Sequence, residues 1–279
     1  MRPTVSFGSS LIWLATILTG CVQFSPSPST WNPGSFIENS LLFHPVMAKK
    51  TWINPPSSVN VEDVWLHTRD GLRIHAWWLA CPASQGAILF CHGNAGNLSF
   101  WGPVTASLSK ILSQPVLIFD YPGYGRSEGQ PSEVGCYAAA DAAYDWLVHN
   151  QRIQPDRLTL FGESLGGGVA TDLASRRPHR ALVLAKTFTS IPDMARSSMF
   201  TSASASLVRN SFDNLAKIEH CTGPILIAHG DRDRLIPLLQ GQQLYEKARQ
   251  PKQFLLLKGC DHNDPYPPDF FATLAQFLK

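Results

Sequence analysis

The chain has 279 residues, 44% of them hydrophobic and 16% charged, with a formal net charge of +2. That suffices for one globular domain with a sizeable core plus an appendage, and it excludes a chain disordered over most of its length. Lys and Arg are scattered and no run of five or six like charges occurs, so no nucleic-acid partner is expected.

At the N-terminus, Arg2 precedes the mostly apolar run Leu11–Leu18, too short to span a bilayer as a helix but suited to the core of a secretory signal. The sequence Leu18-Thr19-Gly20-Cys21 that follows resembles the lipobox of bacterial lipoproteins, in which the signal is cut before the cysteine and that cysteine carries acyl chains. At roughly 0.8 kcal/mol per buried methylene, two or three chains hold a protein on a membrane almost permanently. A signal peptide is therefore expected over 1–20, and a lipidated Cys21 with a Ser/Pro-rich tether over 21–40. An ordinary signal peptide, or a buried segment with an incidental cysteine, is the alternative. For such a signal in a Gram-negative cell, Val22 rather than Asp after the cysteine implies the outer membrane, on its periplasmic side. Cys81, Cys91, Cys136, Cys221 and Cys260 remain, an odd set without Cys-x-x-Cys, and no disulfide is assigned.

After the tether, "VEDVWLHTRDGLRIHAWWLACP" alternates apolar and polar residues about Asp70-Gly71, which predicts a hairpin of half-buried antiparallel strands. The runs "GAILFCHG", "PVLIFDYPG", "RLTLFGES", "ALVLAK" and "PILIAHG" are short, continuous and apolar, the pattern of buried parallel strands, and "FLLLKGCDH" fits one more. Helical signals lie between them. Ser132 caps a helix with Glu133 in its first turn and Tyr137, Ala140, Tyr144 and Leu147 on its inner face; Pro155 ends any continuation. Gly166, Gly167 and Gly168 let a second helix start close to the sheet, and Pro178 follows its end. "DFFATLAQFLK" supplies a C-terminal helix. The gap from Ser190 to Thr222 holds one or two helices but no independent domain. The alternation predicts an α/β fold whose mostly parallel sheet is covered on both faces and led by an antiparallel hairpin.

Gly162-Glu163-Ser164-Leu165-Gly166 is Gly-x-Ser-x-Gly in a strand, sharp turn and helix context, which pushes the serine hydroxyl out over the carboxyl end of a sheet. A serine hydroxyl is a poor nucleophile unless a base takes its proton. "IAHGDRDRLIP" offers Asp231 and Asp233 after one strand, and "KGCDHNDP" offers His262 after the last, giving the order Ser, Asp, His. An imidazole accepts the serine proton while a carboxylate on its other nitrogen holds the tautomer. Zinc ligation by Cys91, His92, Cys260 and His262 lacks finger spacing, and "GYGRSEG" and "GNAGN" lack the glycine or lysine of nucleotide loops, so no metal or cofactor is expected.

The blocks "HGNAGN", "DYPGYGRSEGQPSE", "GESLGGGVA", "HGDRDRLIP" and "GCDHND" resemble, in that order, those of the alpha/beta-hydrolase superfamily, particularly its depalmitoylase-like branch and related bacterial serine hydrolases. The likeness runs from Leu41 to the C-terminus and implies an alpha/beta-hydrolase domain over 41–279 with a small lid or none. It implies Ser164 as nucleophile, His262 as general base and then acid, and Asp233 rather than Asp231 as the orienting carboxylate, Asp231 being otherwise a turn residue. Asp261 and Asp264 are expected to shape the His262 loop, and His92 to arrange the oxyanion loop. The oxyanion donors implied are the backbone amides of Leu165 and of Asn94, or else Ala95; only backbone is needed there, so residue identity matters mainly for the bend.

The resulting expectation is a monomeric esterase or thioesterase of small or acylated substrates, working through an acyl-serine and anchored to a membrane by its lipid. A serine peptidase or an acyltransferase on the same triad, and a non-catalytic binding protein on this scaffold, are the alternatives. Tyr121, Met199 and Phe200 are candidate substrate contacts. Tyr121, with Pro122 and Tyr124, either walls the site or packs locally; Ile191, Met194, Met199, Phe200, Leu207 and Val208 either line an acyl groove or pack on the sheet.

Overall fold

The computed structural model describes residue 39 and residues 42–81, 84, 86–197 and 209–279. The signal peptide, Cys21, the tether up to residue 38, and Met199, Phe200, Leu207 and Val208 lie outside the described residues.

The alternating segment forms β1 (Val61–His67) and β2 (Arg73–Leu79), paired antiparallel from Val61 opposite Leu79 to His67 opposite Arg73. Half-burial holds for β1 alone. Every residue of β2 after Arg73 is buried, because a third strand, β4, covers its other edge and side chains pack on both of its faces. The apolar runs become β3 (Ala87–Cys91), β4 (Val116–Phe119), β5 (Leu158–Glu163), β6 (Ala181–Ala185) and β7 (Ile225–Gly230), buried at each position, and β8 (Lys252–Leu257), a partly exposed edge strand. Their order across the sheet is β1-β2-β4-β3-β5-β6-β7-β8. Pairing is parallel from β4 through β8, and β2 runs antiparallel to both neighbours.

Helices α1 (Gly102–Leu112), α2 (Glu133–His149), α3 (Leu165–Arg176), α4 (Ile191–Ser197), α5 (Asn214–Lys217), α6 (Leu238–Lys247) and α7 (Pro268–Phe277) connect or follow the strands. The period-two rule of strands divides the core. Ala87, Leu89 and Cys91 face one layer with Ala140, Val169 and Leu244, whereas Ile88 and Phe90 face the other with Leu108, Phe270 and Leu274. Helix α2 starts as its sequence predicts: Ser132 Oγ accepts from the Gly135 amide at 3.1 Å, with Glu133 in the first turn. Ala140, Tyr144 and Leu147 are buried, and the half-buried Tyr137 packs edge-on against Phe212. Among the described residues no helix is long and apolar enough to cross a membrane.

The strands that flank β3 are β4 on one side and β5 on the other, so the loops after β3 and β5 part and leave a crevice at the carboxyl ends. A two-residue strand, His44–Pro45, pairs in parallel with Ala95–Gly96 at the rim of that crevice. On its floor α3 approaches β3 so closely that a Cβ at Gly166 would stand 1.9 Å from the Cys91 carbonyl oxygen. Gly166→Ala must force helix and strand apart, and is expected to cost about 3 kcal/mol or more of unfolding free energy, measured by urea titration.

Candidate active site

Strand β5 ends at Glu163 and α3 begins at Leu165, which leaves Ser164 alone to turn the chain, with φ +53° and ψ −118°. A residue with a β-carbon is held there at a cost of about 1–3 kcal/mol, and holding it requires fixed surroundings. The Ser164 amide donates to the Ala185 carbonyl at 3.0 Å, and Thr187 Oγ1 donates to the Ser164 carbonyl at 2.7 Å. A Cβ at Gly162 would lie 2.3 Å from the Gly166 carbonyl oxygen, so both glycines of the pentapeptide are needed for the bend.

The loops after β7 and β8 bring two partners to this turn. His262 Nε2 lies 3.1 Å from Ser164 Oγ, and His262 Nδ1 lies 2.8 Å from Asp233 Oδ2. His262 and Asp233 are buried and Ser164 is half-buried. Burial by itself raises the Asp233 carboxyl, but hydrogen bonds from His229, His262 and the Ile236 amide outweigh it and hold it well below the usual carboxylate range. An ionised carboxylate only accepts, so Nδ1 carries the imidazole proton and Nε2 is left to accept from the serine. Asp233 Oδ1 also takes the amides of Leu235 at 3.0 Å and Ile236 at 2.7 Å.

The competing carboxylates are occupied elsewhere. Asp231 accepts the Gly259 amide at 2.6 Å, the turn role open to it in the sequence. Asp261 accepts the amides of Arg234 and His262 and pairs with the Arg234 guanidinium, which holds its carboxyl down at about 2; Asp264 accepts the Asp261 amide at 2.8 Å. His92 is buried, its Nδ1 2.7 Å from the Gly93 carbonyl and its Nε2 3.6 Å from the buried Asp120, which in turn accepts the Leu98 amide. It therefore braces the loop after β3.

That loop passes directly beside the serine, since a Cβ on Gly93 would be 3.5 Å from Ser164 Cβ. The amides of Asn94 and Leu165 donate to no acceptor among the described residues, and the Leu165 amide is one of those a helix leaves free in its first turn. The Asn94 side chain does more than set a bend. Its Nδ2 donates to the Leu42 carbonyl at 2.6 Å, while its Oδ1 accepts from the His44 amide at 3.2 Å and the Tyr124 hydroxyl at 2.8 Å. Asn97 likewise donates to the carbonyls of Val46 and Thr51. These side chains sew the segment Leu42–Thr51 to the loop, a role invisible in the sequence because the arm carries no periodic pattern.

Tyr121 is a correction: it does not line the crevice. It is fully buried, its ring tilts on His92 at 4.4 Å, and its hydroxyl donates to the His92 carbonyl at 2.7 Å, so it packs beneath the loop. Ile191 is buried, and the half-buried Met194 packs against the same core. A cavity of about 420 Å³ between β1 and α2, lined by residues such as Trp65, His67, Asp145 and His149, takes in none of the residues around Ser164. Among the described residues no group of three or more His, Cys, Asp or Glu is arranged to hold a metal ion.

Residues 86–202 match the family described as the alpha/beta hydrolase fold. The chain is 33% identical to the alpha/beta hydrolase domain-containing protein 17B of Xenopus laevis over 78% of this chain and 75% of that protein. It is 34% identical to the alpha/beta hydrolase domain-containing protein WAV2 of Arabidopsis thaliana over 87% of each. An esterase of Pyrococcus furiosus superposes with a TM-score of 0.70 at 20% identity, over 85% of this chain and 97% of that one. Matches of that identity and extent, on a sheet of this strand order, establish that the chain belongs to the alpha/beta-hydrolase superfamily.

Proposed function

We propose that the protein is a serine hydrolase that cleaves ester or thioester bonds through an acyl-Ser164 intermediate. The observation that carries this reading is the continuous hydrogen-bonded line from Ser164 Oγ through the His262 imidazole to Asp233. In the proposed cycle Ser164 Oγ attacks the acyl carbon as its proton passes to His262 Nε2. The tetrahedral oxyanion takes the amides of Leu165 and Asn94, and His262 returns the proton to the leaving alcohol or thiol. Water then attacks the acyl-enzyme with His262 again as base, and the acid leaves. Asp233 stays ionised throughout and stabilises the imidazolium. The esterase described for the structurally similar Pyrococcus furiosus protein is consistent with this chemistry, and the likeness of the sequence blocks to the depalmitoylase-like branch favours long acyl chains.

A fluorophosphonate probe is expected to label Ser164, and Ser164→Ala or His262→Ala to abolish labelling and lower turnover on the order of 10⁶-fold. Asp233→Asn leaves the geometry but not the tautomer, and should lower kcat about 10⁴-fold. Asn94→Ala keeps its amide, so the loss of activity should be much smaller, read on the same p-nitrophenyl esters. Wild-type protein that takes up no probe and cleaves no ester overturns the reading in favour of a binding role. A panel of esters, thioesters and amides of graded chain length assigns the leaving group, and transfer to added alcohol reveals an acyltransferase.

We also propose that Cys21 is acylated and anchors the enzyme to the bacterial envelope, on the periplasmic side of the outer membrane. The support is the order of apolar run, small residues and cysteine in the sequence. Radiolabelled palmitate should enter the wild-type chain and not Cys21→Ser, which should move from the membrane to the soluble fraction.

A further inference from the structure

Lys186 follows the wholly apolar β6 and is 1% exposed. A buried ammonium is tolerated only where its donors are met. Its Nζ donates to the His262 carbonyl at 2.9 Å and to the Asp264 carbonyl at 2.6 Å, and lies 4.8 Å from the centroid of the Tyr266 ring. Both acceptors belong to the loop that carries the imidazole, so one side chain ties the end of β6 to the loop after β8, two strands away. The backbone at Lys186 has φ +49°, a conformation that favours Gly or Asn. What lysine adds at this position is the ammonium.

Glu163, adjacent to Ser164, is buried, and its Oε2 makes no hydrogen bond among the described residues. Burial pushes its carboxyl above the usual range, and the nearby Tyr266 hydroxyl and then the Lys186 ammonium draw it part of the way back. A further ionic tie on the His262 loop, Arg234 to Asp261, is made by a side chain 88% exposed and is screened by solvent. Lys186 is a buried tie to the backbone of the loop, beside that of Asp233 to the imidazole itself.

We propose that Lys186 is a positioning residue for the general base, holding His262 over Ser164 by binding the carbonyls of residues 262 and 264. The inference rests on the reading of Ser164 and His262 as nucleophile and base. Geometry of this kind matters steeply, because a displacement of about 1 Å can cost on the order of 10²-fold in rate.

Lys186→Met keeps the stem and removes the donors. It is expected to lower kcat on a short-chain p-nitrophenyl ester roughly 10- to 100-fold with KM within about twofold, and to shift or erase the low-field Nδ1 proton resonance of His262. Because removing the ammonium takes away one of the groups that draw the buried Glu163 carboxyl down, the double variant Glu163→Gln/Lys186→Met serves as the control and should show the same kcat loss in a folded protein. A folded variant with kcat within about threefold of wild type and an unchanged Nδ1 resonance overturns the proposal. So does failure of both variants to fold, which would make Lys186 a determinant of stability instead. Fluorophosphonate labelling of the wild type separates the two levels: an unlabelled wild type defeats the nucleophile reading, and the resonance comparison still judges Lys186.

Discussion

The close approach of α3 to the sheet is the constraint on which the site depends. Ser164 can stand at φ +53° only because Gly162 and Gly166 bring strand and helix nearer than any side chain would permit. The same closeness brings the loop after β3 against the serine and sets the free first amide of α3 next to it, the donor that the proposed mechanism assigns to the oxyanion. A helix set one methyl further from β3 would relax the turn and open that place to water. Packing and chemistry are here a single requirement, and the strain at the serine is kept because Ala185 and Thr187 clamp its backbone from the neighbouring strand.

Electrostatics then sorts the polar groups around the turn by what surrounds each one. Four aspartates lie in the two partner loops, and only Asp233 combines burial with a histidine nitrogen and two amides. Asp231 and Asp261 spend their oxygens on backbone amides and an exposed guanidinium, which shapes the loops. His229 supports Asp233 from the far side: its Nε2 lies 2.9 Å from the Ile236 carbonyl and 3.4 Å from Asp233 Oδ2. The carboxylate is therefore oriented before any substrate arrives, as a low-dielectric site requires.

Much of this was legible in the sequence because it depends on local pattern. Apolar runs of four to six residues have one good solution in a sheet covered on both faces, and the Ser132 cap and the Ser164 pentapeptide carry their geometry in consecutive residues. Burial of β2 was not legible, since alternation along a strand reports its own two faces and not the neighbour that closes its edge. The choice between the two roles of Tyr121 was not legible for a related reason: a tyrosine beside a site motif looks like a wall until the His92 carbonyl is seen to take its hydroxyl. Lys186 left one faint mark, a cation directly after five apolar residues, yet its acceptors lie 76 and 78 positions away and no periodicity links them. The Asn94 side chain, read as incidental to its amide, is likewise explained by residues some fifty positions earlier and thirty later.

The arm Leu42–Thr51 looks like a connector outside the catalytic core, yet Asn94 and Asn97 are bound to it and Ala95–Gly96 pairs with it. An expression form trimmed to start at β1 would retain every strand of the sheet and all three side chains of the Ser-His-Asp line. It would nevertheless strip the outer support from the loop beside Ser164 and leave several amide groups without partners. Boundaries drawn by secondary structure alone would thus yield a protein that keeps its sheet and loses the shape of the loop beside its serine.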